Sequence, residues 1–199
     1  MSIYLLKPRF QALLRPAVGA LAAAGVTANQ VTLLACALSV LLGLALATQG
    51  LPRAAWALLP LWLLLRMALN AVDGMLAREH GQASKLGALL NELTDVVADA
   101  ALYLPLAWLA PFDPAWVGAF IVLAGLSEFA GALGPTIGAS RRYDGPMGKS
   151  DRAFYVGAIA LRAAFQPLPA ELALLMPLLA LLTAATVVQR VRRALAEVA

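Results

Sequence analysis

Runs of about 20 apolar residues recur between Val31 and Val188, separated by short stretches of Gly, Pro or charge. A helix of that length crosses the ~30 Å hydrocarbon layer of a bilayer. Hydrophobic residues make up 62% of the 199 and charged residues only 13%, which sets aside a soluble domain with a large core. No backbone polar group can stay unpaired in lipid, so spanning helices are the expected solution. Outer-membrane barrels need short alternating strands, and the sequence shows none. The chain reads as all-α, a single polytopic membrane domain over residues 1–199.

Six spans are expected, at about 30–47, 54–78, 86–109, 115–137, 153–164 (extended by its flanks) and 171–188. They form a six-helix bundle over 29–190. Before it, residues 1–28 hold Lys7, Arg9 and Arg15 among Leu and Phe, the pattern of an amphipathic helix lying in the membrane interface. Thr27 or Asn29 is available to cap the first span. After it, residues 191–199 make a basic tail. Arg15 and Pro16 interrupt the only apolar stretch that would resemble a cleaved signal.

Six spans put both termini on one side. Twelve of the fifteen Lys and Arg fall on that side, against Arg53 and Arg162 opposite and Arg66 within the second span. The bias places both ends in the cytoplasm, in an inner membrane. The net charge of +4 suits anionic headgroups rather than nucleic acid. Cys36 is alone and forms no internal disulfide; a packed, inert thiol is the reading.

Against this apolar background, residues 70–99 carry Asp73, Glu92, Asp95 and Asp99 with Asn70 and Asn91. A carboxylate at the centre of a bilayer costs roughly 2.5–3.5 kcal/mol on insertion scales, so a binding partner is implied. Asn70 and Asp73 are i, i+3 on the second span. Asn91, Asp95 and Asp99 follow at i, i+4, i+8 on the third, with Glu92 beside them. Two antiparallel helices joined by a tight loop would point these oxygens at each other. An all-oxygen set suits Mg²⁺, Mn²⁺ or Ca²⁺ and argues against Zn²⁺, there being no Cys or His cluster. Gly74 and Ala77 would let a ligand approach the backbone closely, and Arg78 supplies a cation suited to phosphate. The competing reading is a set of buried ion pairs neutralised by Arg66, Arg78 and Lys85.

Arg141, Arg142, Lys149 and Arg152 flank Gly145-Pro146-Met147-Gly148 in a polar loop expected over 140–152, on the same face as the acids. The cluster is either an anion site or an ordinary positive-inside loop. His80 reads as a solvated loop residue. Glu128 lies mid-span and either lines the cavity or pairs with Arg66. Gly131, Gly134 and Gly138 suggest close helix packing or a dimer contact.

Asp73-Gly74-x-x-Ala77-Arg78, eight residues, Gly87, three residues, Asn91, three residues and Asp95 resembles the signature of the CDP-alcohol phosphatidyltransferases. Asn29-Gln30-Val31-Thr32 is similar to a weaker feature of that family, with Ala28 where Pro is common. The resemblance implies a transfer dependent on Mg²⁺ or Mn²⁺. A phosphatidyl group moves from CDP-diacylglycerol to a small alcohol with release of CMP, or a phosphoalcohol moves from a CDP-alcohol to a lipid. It also implies a homodimer. On the matching positions, Asp73 would be a metal ligand. Gly74, Ala77 and Arg78 would hold cytidine and pyrophosphate, Gly87 would allow close approach of the third helix, and Asp95 would accept the proton of the attacking hydroxyl.

Asn70 and Asn91 depart from the family, which has Asp at both. Two divalent ions carrying +4 would face −2 from Asp73 and Asp95; Glu92 and Asp99, on the same stripe, are expected to restore −4. If the acceptor is itself a phosphate ester, Arg141, Lys149 and Arg152 would hold it. A divalent-cation transporter and an inactive lipid-binding homologue are the rival readings. The first is disfavoured because the oxygens gather near one face and no internal repeat is visible; the second rests on the two Asn.

Overall fold

The computed structural model describes residues 6–199, with side chains from residue 10. Residues 3–5 and the side chains of Lys7 and Arg9, which the amphipathic reading includes, lie outside the described residues. All seven long elements are helices: α1 (Leu6–Ala23), α2 (Ala28–Ala47), α3 (Leu58–Glu79), α4 (Lys85–Tyr103), α5 (Pro114–Leu133), α6 (Lys149–Phe165) and α7 (Leu175–Val198). Single 3₁₀ turns enter α3 and α7 and extend α4 and α5. Among the described residues there is no strand.

Local chemistry sets the helix starts. Thr27 caps α2: its hydroxyl accepts from the Gln30 N–H at 3.2 Å, while the Gln30 side chain accepts from the Thr27 N–H at 2.9 Å. Ser84 caps α4 by accepting from the Gly87 N–H at 2.9 Å, and Asp113 caps α5 ahead of Pro114. Gly148 begins α6, where the Asp151 carboxylate takes the Gly148 N–H at 3.0 Å.

Two boundaries differ from expectation. Lys149 to Arg152 form the first turn of α6, so the polar loop ends at Gly148. The acid at the third helical position captures the cap N–H and draws the helix start back into the charged stretch. Residues 191–198 continue α7 as helix instead of forming a tail. Arg190, only 2% exposed, is packed inside and anchors that continuation.

Four elements are long and apolar enough to cross a membrane: Ala28–Ala47, Arg53–Glu79, Pro114–Ile137 and Ala170–Val198. Of the two other expected spans, α4 carries Glu92, Asp95 and Asp99, and α6 has only 17 residues. The outward faces of α2, α3 and α4 are rows of exposed leucine, among them Leu34, Leu41, Leu61, Leu64, Leu89 and Leu93. Such rows are stable against lipid and an aggregation hazard in water.

The main core gathers Leu59, Leu63, Leu102, Tyr103, Phe120, Met176 and Leu179. A smaller cluster of Val18, Val31, Val72, Met75 and Leu76 fastens α1 to α2 and α3. Helix α4 lies in close contact with α2 and α5, α3 with α2 and α6, and α5 with α7. At the α2–α4 crossing, any side chain on Gly43 would overlap the Ala101 carbonyl, so the small residue lets the two backbones meet. Gly131 faces a neighbouring helix, its missing Cβ leaving room for Arg190 of α7, and it and Gly134 also face a returning loop. Both leave room for the returning 139–142 segment, whose Arg142 N–H donates to the Gly131 carbonyl at 3.1 Å.

Candidate functional site

The turn between α3 and α4 is tied to the start of α2, which brings three helix ends together. Gln82 makes the tie, accepting from the Ala28 N–H at 2.7 Å and donating to the Val26 carbonyl at 3.3 Å. Between these ends lies a cavity of roughly 340 Å³ lined by Asn29, Thr32, Asn70, Asp73, Gly74, Ala77, Arg78, Gly87, Asn91 and Glu92. Every residue expected to grip cytidine or pyrophosphate on α3 and α4 thus faces one space.

The small residues have identifiable neighbours. A Cβ at Gly74 would sit 3.0 Å from an Arg78 guanidinium nitrogen, and one at Gly87 would sit 2.8 Å from Asn29 Oδ1. Gly74 therefore lets Arg78 fold back over the α3 backbone into the cavity. Gly87 lets Asn29 of α2 reach across to α4.

Asp73 is 5% exposed, and its Oδ2 accepts the Thr32 hydroxyl at 2.7 Å. Among the described residues it has no cation within ion-pair distance. Asp95 is differently placed. Arg66 Nη2 lies 3.0 Å from its Oδ1, Asn70 Nδ2 lies 3.2 Å from the same oxygen, and Lys149 Nζ lies 2.5 Å from its Oδ2.

Asp95 also lines a second cavity of roughly 380 Å³ with Glu128, Arg141, Tyr143, Lys149 and Arg190. Asn91 lines both cavities, so they adjoin at α4. A third, apolar trough of roughly 450 Å³ between α3 and α6 is lined by Leu63, Leu64, Met67, Phe154 and Leu161.

Other expected site residues lie elsewhere. Asp99, 4% exposed, is absent from both cavities and is held by Arg66 and Arg152. It is therefore not on hand to restore charge beside Asp73. Glu92 lines the first cavity but is already paired with Arg141. Arg152 is fully buried and donates to Ser127 Oγ at 3.0 Å, the Met147 carbonyl at 3.1 Å and Glu128 Oε1 at 2.8 Å. Its fork is occupied inside the bundle, so it offers no free anion site. Glu128 pairs with Arg152 and Arg190, not with Arg66.

Of the expected basic cluster, Lys149 and Arg141 face the second cavity. Arg142 instead joins Asp144 and Glu197 outside it. Sequence reasoning missed Thr32 and Arg190 as parts of the site. The signals were the place of Thr32 in Asn29-Gln30-Val31-Thr32, one turn into an apolar span, and an Arg set just ahead of the Arg192-Arg193 pair.

Among the described residues no three Asp, Glu, His or Cys side chains converge as a metal site. The donors around the first cavity are the Asp73 and Glu92 carboxylates with the Asn70 and Asn91 amides. Asn70 gives its Nδ2 to Asp95, which leaves Oδ1 as an acceptor. These hard oxygens suit Mg²⁺ or Mn²⁺; they do not supply charge for two such ions.

The family model for CDP-alcohol phosphatidyltransferase matches residues 25–196. The inner membrane protein YnbA of Escherichia coli is 48% identical over 167 residues, 84% of this chain and 83% of that one. A phosphatidylinositol phosphate synthase of Mycobacteroides abscessus is 33% identical over 126 residues, 63% of this chain and 54% of that one. The crystal structure of the Mycobacterium tuberculosis phosphatidylinositol phosphate synthase with CDP-DAG bound superposes with a TM-score of 0.74 at 27% identity. It covers 90% of this chain and 92% of that one. The same enzyme in complex with manganese and citrate gives 0.73 at 26% identity, over 90% and 88%.

Proposed function

The chain belongs to the CDP-alcohol phosphatidyltransferase family and is an integral membrane enzyme of that type; from that premise we propose that it moves a phosphatidyl group from CDP-diacylglycerol to a small alcohol, releasing CMP. One observation carries this reading. The cavity lined by Asp73, Gly74, Ala77, Arg78 and Gly87 shares Asn91 with a second cavity, where Asp95 lies among Lys149, Arg141 and Arg190 with Glu128 and Asp151. A donor and an acceptor held in the two cavities would meet at Asp95.

In this reading the cytidine and pyrophosphate occupy the first cavity. Arg78, whose guanidinium folds over Gly74, contacts phosphate oxygens. The apolar trough between α3 and α6 suits an acyl chain. The acceptor enters the second cavity, where Lys149 and Arg141 favour an alcohol that is itself a phosphate ester. Its hydroxyl oxygen attacks the phosphorus of the phosphatidyl group as Asp95 takes the hydroxyl proton. The bond from that phosphorus to CMP breaks, and CMP leaves with the bonding pair. Asp73, with the amide oxygens of Asn70 and Asn91, would hold Mg²⁺ or Mn²⁺, which would supply neutralising charge to the phosphoryl oxygens; Glu92 could join only by leaving Arg141. Support for a divalent ion comes from the oxygen donors and from the manganese complex of the related enzyme.

The same reading takes α2 to α7 as six spans of an inner membrane, with α1 in the interface and both termini in the cytoplasm. The one-sided distribution of Lys and Arg supports it. A homodimer belongs to it as a family property. The direct test is CMP release from CDP-diacylglycerol by purified protein in detergent with Mg²⁺ or Mn²⁺. The acceptors to screen are glycerol 3-phosphate, inositol phosphate, serine and glycerol. Release with a phosphorylated alcohol alone is the expected result. Release only with CDP-alcohol donors would reverse donor and acceptor, and silence with both would mark a lost activity.

A further inference from the structure

Asp73 and Asp95 face adjoining cavities from neighbouring helices, yet their surroundings differ in charge. Asp73 takes a neutral hydroxyl from Thr32. Asp95 takes a guanidinium on Oδ1 and an ammonium on Oδ2. The guanidinium comes from Arg66, which stands in the apolar run of α3 and is 5% exposed. Its Nη1 donates to Asp99, and its Nη2 also donates to the Asp95 backbone carbonyl at 3.1 Å. Three acceptors therefore fix a planar fork that, unlike an ammonium, cannot leave by losing its proton.

A Mg²⁺ ion binds oxygen at about 2.0–2.1 Å. To reach Asp95 it would have to displace Arg66 or Lys149, or stand beside both against like-charge repulsion. Asp73 presents no such obstacle. We propose that Arg66 is the resident cation of the Asp95 half of the site. One divalent ion binds per chain, on the Asp73 side, and Arg66, anchored by Asp99, supplies at Asp95 the positive charge of a second. The two amides fit this arrangement. Asn70 donates to Asp95 at 3.2 Å, which a carboxylate at that position could not do. Arg66 acts through Asp95 and is a positioning residue. The inference rests on the transferase reading for the use of that charge, and its test is independent of turnover.

The test is Mn²⁺ binding to the purified full-length protein in detergent, followed by calorimetry and by electron paramagnetic resonance without substrate. The expected result is one Mn²⁺ per chain. Asp73→Asn weakens it at least tenfold, and Asp95→Asn stays within threefold of wild type. Arg66→Gln gains a second bound Mn²⁺; should that variant not fold, the contrast between the two Asp variants decides. Two ions on the wild type, none on the wild type, or a tenfold loss in Asp95→Asn would each overturn the proposal. CMP release separates this outcome from the transferase reading. One Mn²⁺ at Asp73 without CMP from any acceptor fails that reading alone, and CMP release with two ions bound fails the Arg66 proposal alone.

Discussion

Lys149 Nζ stands 2.5 Å from Asp95 Oδ2, so the first turn of α6 grips the carboxylate at the centre of α4. Both side chains line the second cavity: a cation facing the proposed acceptor is bound to the group proposed to deprotonate it.

Lys149 and Arg152 lie one helical turn apart and have opposite expected phenotypes. Lys149→Ala removes a partly exposed cation at the cavity wall. It is expected to raise the apparent KM of a phosphorylated acceptor roughly tenfold or more while leaving that of CDP-diacylglycerol nearly unchanged, a split read from steady-state kinetics. Arg152→Ala uncovers a buried Glu128 and is expected to cost about 3–5 kcal/mol of stability, seen as a lowered Tm in detergent. An Arg152→Ala protein of normal Tm that is defective only toward the acceptor would reverse these assignments.

Thr32 is the side chain that hydrogen-bonds Asp73. A hydrogen bond to a charged group is worth about 1.5–3 kcal/mol, so Thr32→Val is expected to lower kcat/KM roughly tenfold to a hundredfold at limiting Mn²⁺. Thr32→Ser keeps the hydroxyl and retains most of the activity. Measuring both at several Mn²⁺ concentrations checks this, and equal rates for Thr32→Val and wild type would contradict it.

Much of the fold was legible because hydrophobic runs in lipid have one solution. All six expected spans are helices, and α2 and α3 begin and end within a few residues of expectation. The motif residues Asp73, Gly74, Ala77, Arg78, Gly87 and Asn91 also proved to line one cavity. The competing reading of buried ion pairs holds for Arg66, which, seven residues before Asp73, reaches across from α3 to both Asp95 and Asp99. What spacing could not show is which acids it claims, and that, among the described residues, Arg78 and Lys85 claim none of them. Arg152 looks like a loop cation in the sequence because its burial depends on Ser127 and Glu128 of α5, more than twenty residues away. The start of α6 is hidden because a charged stretch looks like a loop until Asp151 is seen holding the Gly148 N–H.

Gly87 leaves space that Asn29 occupies. A methyl group there would stand 2.8 Å from Asn29 Oδ1, pushing that amide into the donor cavity. Gly87→Ala is expected to raise the KM of CDP-diacylglycerol roughly tenfold, within the range for one added methyl in a fitted pocket. The Asn29→Ala/Gly87→Ala double variant recovers part of the loss. A loss confined to kcat, or a double variant no better than Gly87→Ala, would rule out this steric origin.

The central claim is that Asp95 takes the acceptor proton between two occupied cavities. Its most direct measurement is the rate of CMP release from CDP-diacylglycerol by the wild type and by Asp95→Asn, with donor binding measured on the same samples. General-base catalysis contributes about 10²–10⁴-fold. The account predicts that Asp95→Asn loses at least a hundredfold in rate while binding the donor as tightly as wild type. An Asp95→Asn protein that releases CMP at the wild-type rate would contradict it.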